Sequence, residues 1–212
     1  MTLRSAKELL GYKVTALEEK AGYIDDIYFD DKIWVIRHFV IDLDDLSPGR
    51  KIVIPPEMLG QPDWETEQVP AKLTFDQILQ TPAYHPAVDN THFRSLADMI
   101  GYKIQASDGE GGHLTDFVLD ARFWTVRYLV VKPRTFWPDK QVSLIPQWVK
   151  AIDQPASQVW VTLSHSTIES CPEYFSSFYT KQPYAIKFYQ YEDKQPHLKI
   201  TPAQPVSNAV YL

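Results

Sequence analysis

Residues 11–14 read Gly-Tyr-Lys-Val, and residues 101–104 read Gly-Tyr-Lys-Ile. The shift of 90 that superposes them holds in both directions along the chain. It carries Arg4-Ser5 onto Arg94-Ser95, Gly22 onto Gly112, Asp26 onto Asp116, Asp30 onto Asp120, Trp34 onto Trp124 and Arg37 onto Arg127. It then carries Pro56 onto Pro146, Asp63 onto Asp153, Gln68-Val69 onto Gln158-Val159, Ile78 onto Ile168 and Tyr84 onto Tyr174. Without a gap, 21 of the 81 positions from Arg4 to Tyr84 are identical to their partners. A register held that long marks an internal duplication. The expected organisation is a first domain at 1–85, a linker at 86–93, a second domain at 94–174 and an aromatic C-terminal extension at 175–212.

Each copy carries the same local signals. Ser5-x-x-Glu8 and Ser95-x-x-Asp98 read as helix starts, because a serine oxygen caps the amide three residues on. Five strand-like runs follow, at Tyr12–Leu17, Tyr23–Phe29, Trp34–Ile41, Lys51–Ile54 and Val69–Leu73. Their counterparts are Tyr102–Ser107, His113–Leu119, Trp124–Lys132, Gln141–Ile145 and Val159–Leu163. The runs are β-branched and aromatic, and Gly, Asp and Pro separate them. Thr74-x-x-Gln77 and Ser166-x-x-Glu169 read as capping boxes of a second short helix, which Pro82 and Pro172 stop. The fold class expected is mainly β: two tandem small antiparallel β-barrels with short helices. Closure into a barrel removes exposed sheet edges.

These residues resemble a PRC-barrel domain. The resemblance rests on Gly11–Val14, Gly22, Asp26, Asp30, Trp34, the apolar strand Ile36–Ile41, the Pro-Gly-Arg-Lys turn at 48–51 and the Ile-Val-Ile-Pro strand at 52–55. The second copy repeats it with Gly112, Asp116, Asp120, Trp124 and Val126–Val131. The family includes the cytoplasmic part of the photosynthetic reaction-centre H subunit and the C-terminal domain of a ribosome maturation factor. The resemblance implies a binding or scaffolding module rather than an enzyme. It covers both copies and stops before the extension.

Composition narrows the classes. Of 212 residues, 44% are hydrophobic and 23% charged, which is ordinary for a globular chain. The net charge of −6 gives no general attraction for nucleic acid or anionic lipid. No apolar run is long enough to span a bilayer as a helix, and the first residues lack the apolar core of a signal peptide. A single cysteine, Cys171, excludes an internal disulfide and a cysteine-based zinc cage. A cytoplasmic location and at most peripheral membrane association are therefore expected.

Candidate functional residues fall in four groups. Asp26, Asp30, Trp34 and Arg37 recur as Asp116, Asp120, Trp124 and Arg127. They read either as a ligand-binding carboxylate–guanidinium cluster or, in preference, as a structural hairpin whose Asp caps turn amides. Asp42, Asp44 and Asp45 are a weak candidate for a single cation site, because carboxylates suit hard cations. In the second copy Lys132, Arg134 and Thr135 stand there instead. Arg134, Phe136 and Trp137 have the composition of an interface anchor. Tyr184, Phe188 and Tyr189 give the extension the same character, and it carries 4 basic and 2 acidic residues over 181–212. Self-association through that extension is expected. Residues 1–90 carry 9 basic and 16 acidic residues, against 8 and 9 over 91–180, so the first copy is the acidic one. Cys171 aligns with Thr81 and is expected to be structural.

No phosphate-binding loop, dinucleotide fingerprint or nucleophile elbow is present. The expected function is a non-enzymatic protein-interaction or scaffolding module without cofactor. Two alternatives are an accessory factor of RNA processing or ribosome assembly that contacts a ribosomal protein rather than RNA, and a small-ligand or metal-binding sensor.

Overall fold

The computed structural model describes residues 3–16, 19–43, 46–84, 92–134 and 139–174. The chain is mainly β. The first repeat runs β1 (Leu3–Ser5), α1 (Ala6–Leu9), β2 (Lys13–Ala16), β3 (Glu19–Asp30), β4 (Val35–Asp42), β5 (Lys51–Ile54), β6 (Gln68–Ala71) and α2 (Phe75–Gln80). The second runs β7 (Phe93–Ser95), α3 (Leu96–Met99), β8 (Lys103–Ala106), β9 (Gly109–Asp120), β10 (Thr125–Pro133), β11 (Val142–Leu144), β12 (Val149–Asp153), β13 (Gln158–Val161) and α4 (His165–Glu169). Among the described residues, all thirteen strands join one sheet, whose main path is β12-β13-β8-β9-β10-β4-β3-β2-β6. The sheet curls as a half-barrel. Register shifts in the β3–β4 and β9–β10 ladders bend the long strands and supply that curl. Most ladders are antiparallel, but β2 pairs β6, and β8 pairs β13, in parallel.

The helix starts form where the serine and threonine signals place them. Ser5 accepts from the Glu8 amide, and Ser95 from the Asp98 amide. Thr74 and Gln77 complete a reciprocal capping box. The Ser166 start is corrected: α4 begins after Ser164, whose hydroxyl accepts from the Thr167 amide. Ser164 is the residue that the shift of 90 pairs with Thr74, so the repeat register overrides the local motif.

Three strands are absent from the sequence reading, and two of them explain the assembly. β1 does not pair within its own repeat. It lies antiparallel on β9, with Leu3 opposite Asp120 and Ser5 opposite Val118. Reciprocally, β7 lies on β3, with Phe93 opposite Asp30 and Ser95 opposite Tyr28. Each repeat thus lends its opening strand to the other. The sheet halves meet where Thr125 faces Val35. There the Ile36 amide donates to the Trp124 carbonyl and the Val126 amide to the Trp34 carbonyl, both at 2.8 Å. Both tryptophans sit at positive φ, 58° and 52°, which is uncommon for so large a side chain. That conformation aims each tryptophan carbonyl at the other repeat. The core is correspondingly shared. Phe29 packs on Phe117 with ring centroids 5.7 Å apart, and Phe39 meets Trp124 edge-on at 4.8 Å.

The third unexpected strand, β12, pairs β13 with Val149 opposite Val161 and Asp153 opposite Gln158. In the first repeat the same two register points survive only as isolated bridges, Leu59 to Ala71 and Asp63 to Gln68. Gly60 and Pro62 stand where the second repeat has Lys150 and Ile152. Proline cannot donate to a ladder and glycine weakens a strand, so the first repeat opens at this edge.

Candidate functional site

The recurring aspartates do two separate jobs. Ser5 Oγ donates to Asp116 Oδ2 at 2.5 Å, and the Lys7 and Phe117 amides donate to Asp116 Oδ1 at 3.2 and 2.7 Å. Ser95 Oγ donates to Asp26 Oδ2 at 2.5 Å, and the Ala97 and Ile27 amides donate to Asp26 Oδ1 at 3.1 and 2.7 Å. Each carboxylate therefore clasps the helix cap of the other repeat. Burial pushes both carboxyls above their ordinary pKa, against the lowering effect of these hydrogen bonds. Asp30 and Arg37 form a hairpin pair at 3.6 Å, repeated by Asp120 and Arg127 at 3.3 Å. Asp30 also caps the Lys32 amide and Asp120 the Arg122 amide. Trp34 and Trp124 belong to the junction between repeats. All eight residues are thus bound up in holding the fold.

Cys171 is buried, and desolvation pushes its thiol up to about 12. Its Sγ donates to the Thr167 carbonyl at 3.3 Å, so it has no nucleophile's environment. Among the described residues, no group of three His, Cys, Asp or Glu is placed to hold a metal ion. Asp42 lies at the end of β4, while Asp44 and Asp45 fall outside the described residues. Arg134 is exposed, and its carbonyl oxygen lies 3.1 Å from His165 Nε2. Phe136, Trp137, Tyr184, Phe188 and Tyr189 also lie outside the described residues. Among the described residues, no helix is long and apolar enough to cross a membrane.

The opening beside Pro62 is the feature that motif reading missed. It is a groove of about 670 Å³ lined by Arg4, Glu8, Tyr12, Pro62, Asp63, Trp64, Glu65 and Glu67. Its floor is aromatic, with Tyr12 and Trp64 rings 5.9 Å apart and tilted by 59°. The Arg4 guanidinium already lies over the Trp64 ring, 4.7 Å from its centroid. Asp63 organises the turn that presents the rim, its Oδ1 accepting from the Glu65 and Thr66 amides at 2.9 and 3.2 Å. Asp63, Glu65 and Glu67 are exposed and Trp64 is half-buried. Burial is the largest influence on Glu8 and raises its pKa; Arg4 opposes that shift. Tyr12 is raised by burial first, and by the charges of Glu8 and Glu67 after it.

The second repeat keeps the scaffold of this turn and lacks its contents. Asp153 still accepts from a turn amide, that of Ala156, at 3.0 Å. Glu67 and Ser157 share the same positive φ, 55° and 53°. Yet Gln154, Pro155 and Ser157 stand in place of Trp64, Glu65 and Glu67. Four carboxylates and one guanidinium line the first groove; the matching positions of the second repeat hold two carboxylates and one guanidinium. Comparison of the two repeats could have found this divergence, because it falls on a turn whose capping aspartate is kept.

A second groove, of about 580 Å³, lies between the repeats and is lined by Asp30, Arg37, His38, Glu57, His92 and Phe93 among others. His38 packs edge-on against Phe93 at 5.3 Å, and burial lowers its pKa. Where the first repeat places Tyr28, His38, Phe93 and Tyr84, the second buries Val118, Tyr128, Leu3 and Tyr174 as a small apolar cluster. No protein-family model matches the chain, and neither does any curated protein.

Proposed function

We propose that the chain is a non-enzymatic protein-binding module of the tandem PRC-barrel type. The family resemblance of both repeats supports that reading, and so does the repeated order of strands. One observation carries the functional part. The recurring Asp26, Asp30, Arg37 and Asp63 and their counterparts are spent on clasps, caps and hairpin pairs, whereas the exposed turn Trp64–Glu67 differs in chemistry from its counterpart Gln154–Ser157. A duplicated fold that keeps its framework and diverges at an exposed loop suits recognition by that loop. Aromatic side chains at a polar rim have the composition of an interface centre. An enzyme would need a nucleophile or base with an electrophile holder, and the residues that recur do not supply one.

The test is affinity capture of the tagged chain from its native cells, at low and moderate salt, followed by mass spectrometry. A stoichiometric protein partner is the expected result. Ribosomal proteins among the captured species would direct the reading to ribosome assembly. Recovery of the bait alone at both salts would overturn it.

A further inference from the structure

We infer that the Tyr12–Trp64 groove is the recognition site, and that its occupant is an arginine- or lysine-bearing segment of a partner protein. The inference rests on the protein-binding reading above and names the surface and the chemistry.

Three features carry it. The aromatic floor presents ring faces that attract cations. One face holds a guanidinium already, that of Arg4, at 4.7 Å. The matching Arg94 of the second copy is placed differently, paired with Asp31 at 2.7 Å. Around the floor, Glu8, Asp63, Glu65 and Glu67 give four carboxylates to that single guanidinium. The Asp63 Oδ1 is committed to turn amides, which leaves Glu65 and Glu67 as exposed acceptors on a preorganised turn. An incoming cation would meet a rigid aromatic wall and two unburied carboxylates. Such an arrangement favours a long basic side chain, whose methylene stem lies on the rings while its head reaches the rim. Pro62, which lines the groove, stands in the edge that β12 completes in the second repeat and that is reduced to isolated bridges in the first.

The probe is a fluorescein-labelled hexapeptide of alternating arginine and glycine, titrated into the full-length chain and followed by anisotropy. Saturable binding that weakens with salt is expected. The Glu65→Gln/Glu67→Gln double variant alters only exposed side chains and should weaken it about tenfold. Trp64→Ala should weaken it by a similar factor, about tenfold. A charge-matched control, Glu19→Gln/Asp76→Asn, removes two exposed carboxylates that do not line the groove and should change affinity by less than about twofold. Equal losses in the groove variant and the control would overturn the inference in favour of a diffuse acidic field. Absence of saturable binding would overturn it as well. Carbodiimide cross-linking of the chain without peptide covers the remaining occupant. A link from Lys181, Lys187, Lys194 or Lys199 to Glu65 or Glu67 would assign the groove to the chain's own extension and overturn a partner segment. A captured partner without peptide binding would reject the groove and leave the protein-binding reading standing. Peptide binding without a captured partner would keep the groove's preference for basic side chains and overturn the partner protein as its occupant.

Discussion

Asp116, buried, and Asp26, half-buried, show how a carboxyl is tolerated at a junction. Each accepts three hydrogen bonds, and two of these come from the opposite repeat. Removing the acceptor strands a hydroxyl and an amide in partly buried surroundings. Asp116→Ala should therefore cost about 1–3 kcal/mol in urea unfolding. Asp116→Asn keeps an acceptor and isolates the charge. Because burial raises the folded-state pKa above the usual 3.8, protonation stabilises the native state more than the unfolded one. The stability from this group is present in full below the usual carboxylate value and is lost as pH rises through the raised one. The Asn variant has no such loss. The expected outcome is that wild type minus Asp116→Asn stability falls as pH rises across that window, measured by urea unfolding at several pH values. A difference independent of pH would contradict the assignment.

Elements were legible where their signals were local and illegible where their partners were distant. The shift of 90 and the β-branched and aromatic runs between Gly, Asp and Pro were enough to find β2 to β6 and their counterparts. Serine and threonine caps located three of the four helices, and the repeat register would have located the fourth. β1 and β7 escaped because each has three residues, too few for a periodic pattern, and pairs with the other repeat. The groove escaped because Tyr12 and Trp64 are far apart in sequence; the parallel pairing of β2 with β6 and the turn from Asp63 to Gln68 bring them together. The tightest element contact was visible as a recurring glycine. A Cβ on Gly112 would strike the Lys132 carbonyl oxygen, and Gly112 also sits at φ +126°; a Cβ on Gly22 would strike that of Asp42. Gly112→Ala should destabilise by more than about 1 kcal/mol, since both backbone and space forbid the methyl. Thermal denaturation of the variant checks this.

At the scale of the molecule, the exchange of opening strands makes two repeats one body. Unfolding either repeat would strip β1 from β9 or β7 from β3 and expose the shared Phe29–Phe117 and Phe39–Trp124 packing. A single cooperative transition is expected, coincident by tryptophan fluorescence and circular dichroism. Asp116→Ala should shift that transition without splitting it. Two separated transitions would contradict the interlock. The first repeat carries an acidic aromatic groove where the second has the β12 strand, so the proposed assignment of recognition is to one half of the body. The measurement that bears most directly on that assignment is affinity capture from native cells with three baits: wild type, Glu65→Gln/Glu67→Gln and the control Glu19→Gln/Asp76→Asn. The account predicts one stoichiometric, salt-sensitive partner on wild type and control that is lost from the groove variant. The same partner on all three baits, or none on any, would contradict it.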